Sequence, residues 1–199
     1  MIWLYARTHH IMQFTIGLLL LGVLQVAAMR STRSLTSWDG TSSTPLSIAV
    51  TAGLGILAAS TWHTRGGAHE DTMTTRAPAI VRTLHPPATA LTTCLVAAAA
   101  AAAVYHSPAR VIVTSRSLLF WASLAYLGAV LARPHLAWAL PTVYFMALGT
   151  IGYTPAGQPA WWNVPMQPPT DTLAWILTVI AVSLGAYSVI GSSARHRRT

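Results

Sequence analysis

Six long apolar stretches without a single Asp, Glu, Arg, Lys or His residue dominate this sequence of 199 residues. They cover residues 11–29, 45–62, 88–105, 117–132, 136–152 and 172–190. A helix needs about 20 residues, within a range of about 17–25, to cross the hydrocarbon core of a bilayer. The stretch 117–132 is the shortest, and the apolar run Val111–Val113 before it could extend it. The sequence therefore predicts one all-α domain over residues 1–199, an integral membrane bundle of about six transmembrane helices.

Composition supports this prediction. Hydrophobic residues make up 53% of the chain and charged residues only 8%, whereas soluble domains carry about 25% charged residues. So few charges cannot cover a water-facing surface. The first stretch, after Arg7, could be mistaken for a signal peptide. It is longer than the usual apolar region of about 7–15 residues, so we expect a retained helix.

All twelve basic residues are arginines, and their distribution predicts the orientation. With the N-terminus inside, eight fall on the inner side: Arg7, Arg65, Arg76, Arg82, Arg133, Arg195, Arg197 and Arg198. Four fall on the outer side: Arg30, Arg33, Arg110 and Arg116. Inner loops are normally richer in basic residues, which favours both termini in the cytoplasm of a bacterial plasma membrane. Because the arginines are scattered among short loops, they predict topology rather than a nucleic-acid partner.

Several chemistries are disfavoured. A P-loop needs lysine, and this chain has none, so any ATP hydrolysis must come from a partner. The histidines lie at the ends of stretches or in loops, which argues against a haem or metal site. The acids fall in three separate loops, as Asp39, Glu70 with Asp71, and Asp171. We therefore predict no catalytic residues and no cofactor.

Neutral polar and small residues within the apolar stretches predict helix packing. Gln25 and Ser123 are expected to form hydrogen bonds between helices, or alternatively to line a substrate path. Small residues allow close approach of helices in lipid, and they recur as pairs or runs: Gly53 and Gly55, residues 97–103, Ala125 and Ala129, and Ala181 and Gly185. The alternative is that part of this surface joins a second copy or a partner.

The predicted inner loop, residues 63–87, is the longest polar segment. Gly66 and Gly67 would end the second span, and a short helix could follow over residues 68–76. Glu70 and Asp71 then lie in its first turn and Arg76 in its last, which suits the helix dipole. Such a short helix is marginal alone in water, so a partner is expected to dock on it. The alternative is a solvated connecting loop.

The predicted outer loop, residues 153–171, is rich in tryptophan and proline, including Trp161, Trp162 and Pro165. Tryptophan favours the headgroup layer, and proline discourages regular structure. Two interpretations are open. The loop either anchors the protein at the membrane interface or forms a lid over an exit pathway.

These features together resemble the small ABC-2-type permease subunits of actinobacteria. The resemblance rests on the six spans, on Arg65-Gly66-Gly67 followed by Glu70, Arg76 and Arg82-Thr83, and on the segment from Trp161 through Pro165 to Pro168-Pro169. It implies that the chain is the membrane-spanning subunit of an ATP-driven exporter. It also implies that the loop 63–87 forms a coupling helix that docks on a separate ATP-binding subunit, and that the permease works as a homodimer or with a second permease.

The chain departs from this family in two places. Asp71-Thr72 follows Glu70 where relatives often have leucines, and the N-terminal region before residue 11 is short. A second hypothesis is therefore a membrane-embedded immunity or accessory protein without transport activity, which would need neither a coupling loop nor an ATPase.

Overall fold

The computed structural model describes residues 11–30, 34–36, 43–63, 106–131 and 136–195, and the single positions 93, 97, 98, 100, 102 and 104. Within these residues the fold is helical, apart from one pair of three-residue strands. The elements are α1 (Ile11–Arg30), β1 (Ser34–Thr36), β2 (Ser43–Pro45), α2 (Leu46–His63), α3 (Pro108–Leu131), α4 (Ala139–Ile151), a 3-10 helix (Val164–Met166) and α5 (Thr172–Arg195).

Helices α1 and α2 form an antiparallel pair joined by the two strands. β1 and β2 are antiparallel, with Leu35 opposite Thr44. Along the pair of helices, a Cβ on Gly17 would lie 3.2 Å from Leu57 Cδ1. Nearer the strands, Gln25 Nε2 donates a hydrogen bond to Thr51 Oγ1 at 3.0 Å. The predicted hydrogen bond of Gln25 between helices is therefore confirmed.

Helix α3 lies at the centre of the fold. Its buried residues follow one another around the whole helix and include Leu118, Trp121 and Ala125, each fully buried. Proline is favoured in the first turn of a helix, and α3 begins at Pro108, after His106 in a left-handed conformation with φ 48°.

Helix α2 packs parallel to α3. Leu54 clusters with Leu118, and further along both helices Ile56 packs against Ala125 and Tyr126. Because α2 and α3 run in the same direction, His63 at the end of α2 and Pro108 at the start of α3 lie at opposite ends of the two helices. The described positions within the predicted stretch 88–105 are helical, and among them Ala97 is fully buried against Leu54 and Leu118.

Helices α4 and α5 cover the remaining faces of α3. Helix α4 is antiparallel to α3, since Gly128 faces Leu140 near the start of α4 while Phe120 meets Tyr144 further along. Helix α5 is parallel to α3, and a Cβ on Gly185 would lie 3.5 Å from Ser123 Cα. At the start of α5, Asp171 Oδ1 accepts a 2.7 Å hydrogen bond from the Ala174 backbone N–H, as a helix cap does.

The outward faces of α1 and α5 are apolar. On α1 the exposed side chains recur at helical spacing: Ile16, Leu19, Leu20, Val23 and Leu24. On α5 the face turned inward carries small residues, Ala174, Thr178, Ala181 and Gly185, whereas Ile176, Val179, Ile180 and Leu184 point outward. A helix on a water-soluble protein shows the opposite arrangement, with its apolar stripe facing the core.

One helix in the described part of the chain, α3, is both long and apolar enough to cross a bilayer. The other apolar helical runs are shorter by the same measure: Thr15–Arg30, Leu46–Leu57, Ala139–Ile151 and Thr172–Tyr187. Helix α4, with 13 residues, extends about 20 Å at 1.5 Å per residue, less than the hydrocarbon thickness of about 30 Å.

The predicted boundaries of the first two helices agree with α1 and α2 to within one residue. The fourth stretch was predicted over residues 117–132, with a possible extension through Val111–Val113. Helix α3 begins nine positions before residue 117, at Pro108, so Arg110 and Arg116 belong to a helix rather than to a loop. The physical reason is that a buried arginine is stable in a helix when other parts of the protein satisfy its donors, as they do for Arg116.

Candidate functional site

The most distinctive part of the fold is the α4–α5 segment, residues 152–171, which joins two helices without being helical for most of its length. Its first half is a tight loop. The Thr154 N–H donates to the Gln158 carbonyl at 2.8 Å, and the Gly157 N–H donates to the Thr154 carbonyl at 2.8 Å. Gly157 has φ 73°, a conformation that glycine adopts without strain. This loop is exposed to solvent.

The second half of the segment is folded into the helical bundle. Asn163 and Val164 are 1% and 0% exposed, and Pro165 is also buried. Val164 belongs to a cluster with Phe120 and Ala174. A buried backbone without regular secondary structure leaves N–H and carbonyl groups that need partners from elsewhere.

Arg116 supplies partners to three of these carbonyls. Its Nη1 donates to the Pro168 carbonyl at 2.9 Å. Its Nη2 donates to the Val164 carbonyl at 3.0 Å and to the Gln167 carbonyl at 2.6 Å. Arginine has five N–H donors in a planar fork, which suits several acceptors lying at different angles. One side chain from α3 therefore anchors the turn of the segment that leads into α5.

The charge of Arg116 is fully buried and is compensated in three ways. Carbonyl dipoles point at the guanidinium, and its Cζ lies 5.7 Å from the centroid of the Trp175 ring, within the range of a cation–π interaction. Asp171 adds an electrostatic attraction. Arg116 Nε is buried and has no hydrogen-bond partner among the residues that the structure describes. The network therefore stabilises a buried charge with dipoles and an aromatic face, not with a direct ion pair.

Four further side chains tie the segment to itself and to its flanking helices. Tyr144 Oη donates to the Trp162 carbonyl at 2.6 Å and accepts the Val164 N–H at 3.3 Å. The other three each donate to one backbone carbonyl: Asn163 Nδ2 to Gly152 at 2.9 Å, Gln167 Nε2 to Ala160 at 2.8 Å, and Trp175 Nε1 to Pro169 at 2.9 Å. The segment is thus held as a rigid structure rather than laid loosely over the bundle.

An aromatic cluster lies beneath the segment, on the side toward the middle of α3. The Tyr144 ring lies 5.1 Å from Phe120, 5.2 Å from Trp121 and 5.8 Å from Trp162, centroid to centroid. These spacings and the tilted or edge-on arrangements are those that aromatic pairs prefer. The cluster joins α3, α4 and the segment into one packed unit.

The structure separates the two predicted tryptophans of this region. Trp161 is 64% exposed and lies on the surface. Trp162 is half-buried against Tyr144, and Pro165 is buried in the bundle. Arg116 was not predicted as a site residue. The available signal was its position between the apolar run Val111–Val113 and the stretch 117–132.

The predicted coupling residues lie outside the described part of the chain. These are Gly66, Gly67, Glu70, Asp71, Arg76 and Arg82. Of the residues that the structure does describe, no three His, Cys, Asp or Glu side chains are grouped so that they could hold a metal ion. The arrangement around Arg116 therefore offers anchoring of a buried segment as its physical role.

No family model, no curated protein and no solved structure matches this chain.

Proposed function

We propose that this chain is the membrane-spanning permease subunit of an ATP-driven exporter, with six spans, both termini in the cytoplasm and a separate ATPase as its motor. The observation that carries the proposal is the α4–α5 segment, whose second half is buried in the helical bundle and anchored there by Arg116. In the proposed permease this buried, irregular segment forms the outer barrier of the transport path.

The outward faces of the helices support placement in a membrane. Leu19, Leu20 and Val23 on α1 are 64%, 66% and 70% exposed. Contiguous apolar surface of this kind is unfavourable in water and marks contact with lipid or protein. Small residues such as Ala181 and Gly185 lie at the helix contacts, as in membrane proteins, where close backbone approach replaces the hydrophobic drive.

The irregular backbone of the α4–α5 segment is compatible with membrane depth. Non-helical backbone is tolerated there when it is buried in protein and its polar groups are satisfied. Arg116 lies eight residues after Pro108, about 12 Å along the helix axis. At that depth Arg116 donates three hydrogen bonds to backbone carbonyls, which the acyl chains of lipid could not do. An arginine inside a span normally faces the bundle interior and has a functional role.

The directions of the helices support six crossings. The parallel arrangement of α2 with α3 requires a return of the chain between His63 and Pro108, which we assign to a span over residues 88–105. With the N-terminus inside, the segment 152–171 then lies at the outer surface and the loop 63–87 lies in the cytoplasm. Helix α4 is too short to cross the bilayer alone, and the buried segment that follows it completes the crossing on the outer side.

In this proposal the motor acts on the cytoplasmic side while the barrier lies on the outer side. ATP binding would bring two ATPase subunits together, and the loop around Glu70 would transmit that movement to the helices. A ligand shifts a conformational equilibrium only when it binds the two states differently. The ATPase must therefore contact the loop differently in the state where the outer segment is displaced.

Co-purification tests the pairing with an ATPase. The chain is expressed with a candidate ATP-binding subunit, taken from a neighbouring gene where one exists, and the amount of ATPase retained on the tagged permease is measured. We expect Glu70→Arg to reduce retention at least tenfold. Asp39→Arg is the matched control, because the same charge reversal then falls on the predicted outer side, and it should retain the ATPase as wild type does.

Equal retention by the Glu70→Arg and wild-type proteins would contradict the coupling role of this loop. Failure of every variant, including wild type, to retain any ATPase would favour the alternative of an immunity or accessory protein, which needs no motor.

A further inference from the structure

A cavity of about 180 Å³ lies between α1, α2 and α3, next to the buried α4–α5 segment. It is more than ten times the 10–15 Å³ that one water molecule requires. Its described lining includes Gln25 from α1, Ser47 and Thr51 from α2, and Arg110 and Ser117 from α3. The permease mechanism proposed above makes no use of this cavity.

The hydrogen bonds of the inner wall determine which way the Gln25 amide points. Thr51 Oγ1 donates its only proton to the Ser47 carbonyl at 2.7 Å. It can therefore only accept from Gln25, so the group that faces it at 3.0 Å is the Gln25 NH₂. The carbonyl oxygen, Gln25 Oε1, is left on the other side of the amide. Gln25 is 0% exposed, and Oε1 has no hydrogen-bond partner within the described structure.

A second acceptor lines the same wall. Ser117 Oγ donates its proton to the Val113 carbonyl at 2.7 Å, so its remaining lone pairs can only accept. An unsatisfied buried acceptor is unfavourable. The inner wall of the cavity therefore favours a ligand group that donates hydrogen bonds, such as an ammonium or a hydroxyl group.

The mouth of the cavity favours a negatively charged group on the ligand. Arg110 is exposed there. Helices α2 and α3 both begin at this end, and their first turns carry the positive end of the helix dipole. The cavity lining within the described residues contains no acidic side chain. Anions are therefore favoured at the mouth and hydrogen-bond donors in the interior.

We infer that this cavity binds a phosphodiester that carries a hydrogen-bond-donating head, the chemistry of an ethanolamine or glycerol phospholipid. The phosphate lies by Arg110, and the ammonium or hydroxyl points to the inner wall that Gln25 and Ser117 line. The lipid source rests on the membrane placement proposed above, because this end of the bundle then lies at the outer headgroup layer. A bound headgroup there would join α1 and α2 to α3 beside the buried α4–α5 segment.

The test compares lipids that differ only in the methylation of the head-group nitrogen. The purified protein is mixed in detergent with equal amounts of phosphatidylethanolamine and phosphatidylcholine with the same acyl chains, and bound lipid is counted by native mass spectrometry. The choline head has no N–H group. We expect wild type to retain the ethanolamine lipid about tenfold more, since a buried charged hydrogen bond is at stake. Equal retention of the two lipids by wild type would overturn the inference.

Variants assign the selectivity to this cavity. Gln25→Met removes the acceptor at similar size and should bring the retention ratio close to one. Arg110→Gln should lower retention of both phospholipids relative to diacylglycerol. Arg30→Gln is the control, because it removes another exposed charge at this end of the bundle, at the last residue of α1. Unchanged selectivity in Gln25→Met, or equal losses in Arg30→Gln and Arg110→Gln, would contradict the assignment.

Soluble glycerophosphoethanolamine separates the two sources of this chemistry. Displacement of the lipid by millimolar concentrations would identify a soluble phosphodiester as the ligand, whereas continued retention identifies the membrane lipid. The outcome of the lipid experiments does not depend on whether the chain binds an ATPase. Loss of lipid selectivity with normal ATPase retention contradicts only the cavity assignment, and selective lipid binding without ATPase retention contradicts only the permease.

Discussion

The Arg116 guanidinium donates a 2.6 Å hydrogen bond to the backbone carbonyl of Gln167, which lies 51 residues further along the chain. This contact joins the central helix to a segment that would otherwise leave buried carbonyls without donors. The same guanidinium reaches the Val164 and Pro168 carbonyls. The position of the α4–α5 segment therefore depends strongly on one side chain.

Replacement of Arg116 by methionine is expected to release the segment. The change removes the donor from the buried carbonyls of Val164 and Gln167, each at a cost of about 1–3 kcal/mol, while loss of the buried charge offsets part of that cost. The Pro168 carbonyl keeps its 3.1 Å hydrogen bond from the Asp171 N–H. We expect a net loss of about 3 kcal/mol in the free energy of unfolding, measured in detergent, and faster proteolysis between residues 154 and 160. Arg30→Met, on an exposed arginine at the end of α1, should change stability by no more than about 0.5 kcal/mol.

Two glycines of α2 provide a matched test of how closely α2 approaches α3. A Cβ on Gly55 would lie 2.7 Å from Trp121 Cβ and 2.8 Å from the Ala122 backbone nitrogen, so the helices would have to separate. A Cβ on Gly53 would meet only Leu21, at 3.9 Å.

We expect Gly55→Ala to lower the free energy of unfolding by about 1–3 kcal/mol, as overpacking does. Gly53→Ala should be neutral or should stabilise the protein by up to about 1 kcal/mol, because alanine favours a helix. Thermal unfolding of both variants measures the difference. Equal melting temperatures would mean that α2 and α3 are not in the contact described.

The neighbouring tryptophans of the α4–α5 segment should differ in their effects. Trp162 packs against Tyr144, with ring centroids 5.8 Å apart, whereas Trp161 is 64% exposed. Trp162→Ala should cost about 2–3 kcal/mol of stability, somewhat less than a fully buried aromatic residue. Trp161→Ala should leave stability unchanged but reduce quenching of tryptophan fluorescence by headgroup-labelled lipid in liposomes. A large loss of stability in Trp161→Ala would contradict its surface position.

Local sequence was sufficient to predict the helices that are apolar along their length. The stretches 11–29 and 45–62 match α1 and α2, and the prediction from residue 172 matches the start of α5, which continues to Arg195. The close approach at Gly55 and the buried Ala125 and Ala129 were also expected from the recurrence of small residues. Ser123 differs from the prediction that it forms a hydrogen bond between helices. Its hydroxyl donates to the Leu119 carbonyl of its own helix.

The start of α3 and the course of the α4–α5 segment could not be predicted in the same way. Both depend on contacts between residues far apart in sequence. Arg116 interrupts an apolar run and so appeared to belong to a loop, but its acceptors lie 48 to 52 residues away. The prolines and tryptophans of residues 153–171 predicted an irregular segment correctly. They did not indicate that Trp162 and Pro165 turn inward while Trp161 turns outward.

The most direct test of the account is cysteine labelling of intact cells, in a background where Cys94, the only cysteine, is changed to serine. Gln158→Cys probes the exposed loop of the α4–α5 segment, and Thr72→Cys probes the predicted coupling loop. With a membrane-impermeant maleimide, we expect Gln158→Cys to react in intact cells and Thr72→Cys to react only after permeabilisation. Labelling of both from the same side, or recovery of the protein in the soluble fraction, would contradict the six-span permease with the α4–α5 segment as its outer barrier.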